Sequence, residues 1–372
     1  MNKKYTSLGL MSGTSGDGVD ASIVKSDGNL TYAVIMDEYF EYNQALYQEI
    51  HETKDKVNSK LDLSKYSDAI NILEKKITIF HAELVNKIKK KFKFDLIGFH
   101  GQTIYHNSDE KISKQLGTGG LLSQLTFKDV VYNFRENDIL SGGEGAPLSP
   151  IFHDLIIKNK KIKEATCILN IGGISNITII FSDKDYDFES KDIGPGNCLI
   201  DEWIRKNSQN KYDKNGELAS IGNCNEIILE QALELYSNRP NQKKLSLDTK
   251  DFDISFARGL SLEDGATTLT DFTSCILSSE INNYLSNKKI SKCKIFVSGG
   301  GRKNSLLINK IKKRISKNFS INLIEELGFN GDFIESQAFA YLAIRSILNL
   351  PISFPKTTGC KTFISGGNLV KF

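Results

Sequence analysis

Two apolar strands joined through glycine occur twice in this chain, and that repetition constrains the fold more than any other feature. The stretch MSGTSGDGVD at 11–20 links strand patterns at 5–10 and 19–24, with a third strand pattern at 30–41. The stretch NIGGISNIT at 170–178 links strand patterns at 165–171 and 174–181. Neither hairpin runs into a helix after its glycines, so neither is a Walker-type phosphate loop. After each, strands alternate with helical patterns, among them 43–52, 64–92, 217–236, 264–285, 304–316 and 333–348. Alternation of this kind predicts an α/β chain in two related halves. The 372 residues are enough for two lobes that bury their own cores.

Composition excludes several classes. Hydrophobic residues are 40% and charged residues 25%, and 48 basic against 45 acidic side chains leave +3. So balanced a charge predicts no nucleic-acid partner. The lysine runs KIKKKFK, KNKKIK and KIKKRISK read as solvated helix faces. The six cysteines are widely spaced with no CxxC, which fits neither a zinc framework nor a secreted disulfide set. No leader-like segment opens the chain and no 18-residue apolar run occurs, so a soluble cytoplasmic protein without a membrane partner is expected.

Five motifs carry candidate chemistry. In the first loop Gly13, Gly16 and Gly18 leave backbone N–H groups open to phosphate, with Thr14, Ser15, Asp17, Val19 and Asp20 around them. HGQTIYH at 100–106 ends a short strand (95–100) in a polar loop. His100 and Gln102 there suit substrate hydroxyls better than a metal, since no third ligand has convincing spacing. Arg135 follows a strand, placed to grip a carboxylate or phosphate, or else to pair with Glu136 or Asp138. The glycine-rich loop after it leads to Pro147, which can begin the next helix. The second hairpin offers Gly172, Gly173 and Ser175, and SGGGRKN at 298–304 puts Gly299, Gly300 and Gly301 between a strand and a helix. In DIGPGN at 192–197 the carboxylate of Asp192 ends a strand before a rigid turn and is a candidate general base; Asn197 can cap the helix that follows.

Together these motifs resemble the anhydro-N-acetylmuramic acid kinases, within the superfamily of sugar kinases, heat-shock chaperones and actin. The resemblance runs from Gly9 to Gly367 through GLMSGTSGDGVDA, HGQT, GGEGAPLSPIFH, LNIGGISNIT, DIGPGN, LTDFTSCIL, VSGGGRKN, ESQAFAYLAIRSI and LPISFPKTTG. Three departures stand out: Gly16 replaces a bulkier residue, LGTGG at 116–120 lacks an expected Asp, and Ile193 replaces Thr. The resemblance implies an actin-like (ribonuclease H-like) two-lobed ATPase fold with an interlobe cleft, drawn here as residues 1–135 plus 350–372 and residues 136–349. It implies a cytoplasmic kinase of peptidoglycan recycling that uses ATP and Mg²⁺ to open and phosphorylate a small sugar. Residues 13–20, Gly172, Gly173 and Ser175 would hold phosphates, and Gly299, Gly300 and Gly301 would face adenosine. Thr14, His100, Gln102 and Arg135 would contact the sugar. Asp192 would be the base, with Glu335 beside it in catalysis or else simply favourable near a helix N-terminus. Asp17, Asp20 and Asp192 stay open as Mg²⁺ ligands, and the oligomeric state stays open, a homodimer included.

Overall fold

The computed structural model describes residues 3–13, 15–238 and 245–372. In chain order the strands begin with β1 (Tyr5–Ser12), β2 (Gly18–Ser26), β3 (Tyr32–Glu41), β4 (Leu96–Asn107), β5 (Ile112–Leu116) and β6 (Asp129–Tyr132). They continue with β7 (Thr166–Ile171), β8 (Ile174–Ile180), β9 (Phe188–Pro195), β10 (Cys293–Ser298), β11 (Phe319–Leu323) and β12 (Asn368–Val370). The chain divides into two compact units. One runs to Ile162 and resumes at Asp332; the other is Lys163–Gly331.

The two sheets share one plan. In the first unit the order is β12-β6-β4-β1-β2-β3, with β5 paired to β4. Strands β1, β2 and β3 form an antiparallel meander, and β4 and β6 join parallel on the side of β1. In the second unit the order is β11-β10-β7-β8-β9, again an antiparallel meander extended by two parallel strands. With β5 and β12 of the first unit set aside, each unit has five strands in the order 3-2-1-4-5, the ribonuclease H-like arrangement. The parallel pairs need crossovers, and helices supply them.

Helix starts follow capping chemistry. Asn43, Asn225, Ser261 and Asn304 each accept a backbone N–H of the first turn, of Leu46, Ile228, Asp264 and Leu307 respectively. In the first unit, helices Gln44–Lys56 and Ser67–Lys89 bury Leu46, Ile50, Leu73, Ile77 and Val85 against the sheet. In the second, helices Leu262–Asn287 and Ser305–Arg314 bury Leu277, Ile281, Leu307 and Ile311 against β7, β8 and β10. Among the described residues no helix is long and apolar enough to cross a membrane.

Helix Ile334–Ile347 lies on β1, β2 and β4 of the first unit. Two glycines permit that contact. Gly9 and Gly98 stand side by side in the β1–β4 register. A Cβ on Gly9 would come within 2.0 Å of the Ser336 carbonyl oxygen, and one on Gly98 within 2.3 Å of the Phe339 carbonyl oxygen. Further contacts fix the unit: Tyr341 donates to the Gly28 carbonyl at 3.0 Å, and Asn159 of helix Pro150–Asn159 donates to the Leu30 carbonyl at 3.1 Å. The boundaries expected at 135/136 and 349/350 therefore fall inside the first unit, because both helices pack on its strands.

Three local expectations also change. HGQTIYH is not a loop: β4 continues through it to Asn107, since β5 pairs with its far end. The single helix expected over 217–236 is two, Glu217–Ile221 and Glu226–Ser237. A Cβ on Gly222, between them, would meet the Glu263 backbone at 2.3 Å. Pro147 follows a cis bond, and Pro150 begins the helix instead.

Gly98→Val would force a side chain into the Phe339 carbonyl. Overpacking of this kind costs about 2–3 kcal/mol. Urea unfolding should show a lower midpoint with an unchanged slope; a midpoint equal to the parent's would refute the close-packing account.

Candidate active site

The first glycine loop is braced from three directions. Gly16 N–H donates to the Gly13 carbonyl at 3.1 Å, closing a turn that needs Gly16 at φ +61°. Gln102 Nε2–H donates to the same carbonyl at 2.9 Å, and His51 Nε2 bonds the Ser15 carbonyl at 2.8 Å. Ser15 donates to Asp17 at 2.6 Å. The glycines differ in purpose. A Cβ on Gly18 would strike the Phe40 carbonyl at 2.4 Å, so packing alone excludes a side chain. At Gly13 such an atom would meet, among the described residues, only Ser15 Oγ at 3.7 Å, so packing does not exclude a side chain there. Val19 is fully buried in the core, and Asp20 follows on β2 in register with Met11. Thr14 lies outside the described residues.

His100 and Arg135 are brought into direct contact. The β1–β4 register skips His100, passing from Leu10↔Phe99 to Met11↔Gly101. Such bulges re-aim side chains. The His100 ring bonds the Gly101 carbonyl through Nδ1 at 2.8 Å and meets Arg135 Nη2 through Nε2 at 3.0 Å. A carbonyl accepts and a guanidinium donates, so Nδ1 carries the hydrogen and the imidazole is neutral. Burial, then the Arg135 charge, hold His100 well below its ordinary value of 6.5. Arg135 Nη1–H donates to the Gly145 carbonyl at 2.7 Å. Asp138 is committed elsewhere, accepting from Gly145 N–H at 2.7 Å and Thr358 at 2.5 Å. Glu136 accepts from Asn368 at 2.7 Å. Gln102 is fully buried, and its Oε1 has no hydrogen-bond partner among the described residues. Phe339 lies 4.5 Å from the His100 ring, and Glu335 is one turn before it on the same helix face.

In the second unit a polar row crosses the sheet. Ser298, Asn170, Asn176 and Asp192 are successive register partners on β10, β7, β8 and β9. The row lies at the carboxyl ends of β7 and β10, where open α/β sheets bind ligands. The β8–β9 register skips Ile193, so Asp192 sits within the strand beside a bulge, not at its end. Its Oδ2 accepts the Leu247 N–H at 2.7 Å, and its own N–H donates to the Leu245 carbonyl at 2.8 Å.

Both glycine turns of this unit abut that row. At Gly172 a Cβ would meet nothing closer than 3.5 Å, and at Gly300 nothing closer than Asn197 Nδ2 at 3.9 Å. Gly299 and Gly301 are fixed by packing instead: their Cβ atoms would strike Asn170 Oδ1 at 2.4 Å and Ile171 at 2.2 Å. The hairpin tip is tied to the next helix through Gly196 N–H to the Gly173 carbonyl and Asn197 N–H to the Gly172 carbonyl, both 2.8 Å. Ser175 is fully buried and donates to the Pro195 carbonyl at 3.3 Å. Asn197 holds the N-cap position of helix Cys198–Asn207 without a side-chain cap bond. Sequence reasoning overlooked Asn170, Asn176 and His51; the two asparagines stood inside NIGGISNIT, where only the glycines drew attention.

Two sheets of 3-2-1-4-5 order, each headed by a glycine hairpin, define an actin-like protein. The family model described as anhydro-N-acetylmuramic acid kinase matches residues 5–371, so the chain belongs to that family. A relative from Pelagibacter ubique named anhydro-N-acetylmuramic acid kinase is 55% identical over the full length of both chains. Relatives of the same name from Agrobacterium fabrum and Zymomonas mobilis are each 35% identical, the first covering 100% of both chains and the second 97% of this chain and 98% of its own.

Burial also holds His81 at about 4 and His106 and His153 at about 3. All four histidines thus bind protons more readily unfolded. Their stabilising effect is full above pH 6.5 and is lost as pH falls toward these values. Urea midpoints should drop from about pH 6.5 to about pH 4.5, and His106→Gln should show a shallower drop. Parallel slopes for parent and variant would count against this source.

Proposed function

We propose that this chain is an ATP-dependent kinase that hydrolytically opens 1,6-anhydro-N-acetylmuramic acid and phosphorylates O6. The products are N-acetylmuramic acid 6-phosphate and ADP, and the setting is cytoplasmic recycling of peptidoglycan. The family match across residues 5–371 carries this reading.

The chain's own residues supply the chemistry as follows. Asp192, oriented by the Leu247 N–H, takes a proton from the water that attacks the anomeric carbon. As that bond forms, the C1–O6 bond breaks and O6 captures the γ-phosphorus while ADP leaves. A positioned base contributes roughly 10²- to 10⁴-fold. At Gly13, Gly172 and Gly300, where no described atom would overlap a Cβ, the missing side chain gives phosphate and adenosine close access to backbone. Phosphoryl transfer needs mainly such positioning and charge neutralisation. Thr14 and Gln102 address sugar hydroxyls, while the neutral His100 ring, with both nitrogens engaged, acts at the sugar by steadying Arg135 for the lactyl carboxylate. Glu335, near His100 through Phe339, assists at the sugar. The carboxylate oxygens of Asp17 and Asp20 are the hard donors Mg²⁺ prefers. When bound, the ion neutralises charge on the β- and γ-phosphates.

Incubation with ATP-Mg, the anhydro sugar and ¹⁸O-labelled water should place label at the anomeric oxygen of a 6-phosphate. ADP formed only with an ordinary N-acetylhexosamine would indicate a kinase for another sugar. Asp192→Asn should abolish ring opening and phosphorylation together while ATP still binds; normal turnover would refute the base assignment. Arg135→Ala should raise KM for the sugar about tenfold or more, as loss of a charged hydrogen bond does, and an unchanged KM would assign Arg135 a structural role.

A further inference from the structure

The Ser15–Gly16 peptide of the first glycine loop is held at both edges. Its N–H donates to the Gly13 carbonyl at 3.1 Å, and its carbonyl accepts from His51 Nε2 at 2.8 Å. A carbonyl only accepts, so Nε2 carries the ring hydrogen. The Gly13 carbonyl takes a second bond, from Gln102 Nε2–H at 2.9 Å. Two carbonyls of the loop are thus engaged by donors of the protein itself. A carbonyl swung toward an anion would repel it, whereas backbone N–H groups attract it.

His51 comes from outside the motif, on helix Gln44–Lys56, and that helix is itself fixed. Asn43 caps it at the Leu46 N–H, Ile50 is fully buried, and Glu49 pairs with Lys76 at 2.7 Å. Tyr47, one turn earlier, has its ring centroid 4.3 Å from that of His51. Gly16 permits the approach of this helix to the loop. A Cβ on Gly16 would come within 3.1 Å of Ile50 Cγ2 and 3.6 Å of His51 Nε2, on a backbone at φ +61°. Where the resemblance leads one to expect a bulkier residue, this chain has a glycine and a ring from the neighbouring helix bonded to the same peptide.

We infer that His51 is a positioning residue for the nucleotide. Its bond to the Ser15 carbonyl keeps the Ser15–Gly16 peptide turned so that this carbonyl does not face the phosphates, which are left the loop's N–H groups. This rests on the kinase reading above, in which residues 13–20 hold phosphate, and adds to it a residue outside the motif. His51 acts through the loop and not by touching ATP or sugar. Its loss therefore weakens ATP binding and leaves the chemical step intact once ATP is bound.

His51→Leu removes the donor, and His51→Gln returns an amide N–H at about the reach of Nε2. His51→Leu should raise KM for ATP about tenfold, the scale of one lost hydrogen bond, with kcat at saturating ATP within about twofold of the parent's. AMP lacks the β- and γ-phosphates, so its inhibition constant should change by less than about twofold. The thermal midpoint should stay near the parent's, as for other half-exposed positions. His51→Gln should bring KM for ATP back to within about twofold of the parent's. A parental KM for ATP in His51→Leu would overturn the inference. So would equal losses for ATP and AMP, or a His51→Gln variant no better than His51→Leu. The two levels separate in the parent enzyme. If it phosphorylates the anhydro sugar with ATP while His51→Leu keeps the parental KM, only the role of His51 falls. If the parent binds no ATP, the kinase reading falls and takes this inference with it.

Discussion

Everything in the first unit depends on a helix lying against bare backbone. Gly9 and Gly98, adjacent on β1 and β4, let helix Ile334–Ile347 approach the sheet where any Cβ would overlap the Ser336 or Phe339 carbonyls. That contact draws the last part of the chain back to its first strands. It buries Tyr341 and Arg345, whose donors reach the Gly28 carbonyl at 3.0 and 2.7 Å. It also sets Phe339 against His100 and so positions the bulge from which His100 meets Arg135.

Both units solve the same problem in the same way. A strand pair closed through glycine puts polar groups at the carboxyl ends of parallel strands. A bulge then interrupts the register at or beside one key side chain, at His100 in one case and next to Asp192 in the other. Around these points some glycines are demanded by packing and some are not. Gly18, Gly299 and Gly301 have backbone or side chains where a Cβ would go, whereas at Gly13, Gly172 and Gly300 a Cβ would meet described atoms only at ordinary contact distance, 3.5 Å or more. For an anhydro-sugar kinase the second set is the informative one, since among the described residues no overlap with a Cβ requires glycine there.

Much of the site was legible because its chemistry is concentrated in short motifs. The two glycine hairpins and the turn at 299–301 fall where local patterns pointed, whereas Asp192, expected at a strand end, lies inside β9. Local patterns failed where a distant partner decides. HGQTIYH reads as a polar loop because its side chains are polar, yet β5 supplies the hydrogen bonds that keep it a strand. The helix expected over 217–236 breaks at Gly222 because the first turn of another helix occupies the space.

What the sequence determined by itself is the duplicated α/β plan and the glycine turns, since each follows from residue type and short-range spacing. Tertiary structure alone decided that residues 136–162 and 332–349 belong to the first unit, because packing on Gly9, Gly98 and β3 is invisible to periodicity. It also decided that Ser298, Asn170, Asn176 and Asp192 form one row. Register across four strands joins residues up to 128 positions apart, and no local pattern encodes which residue faces which.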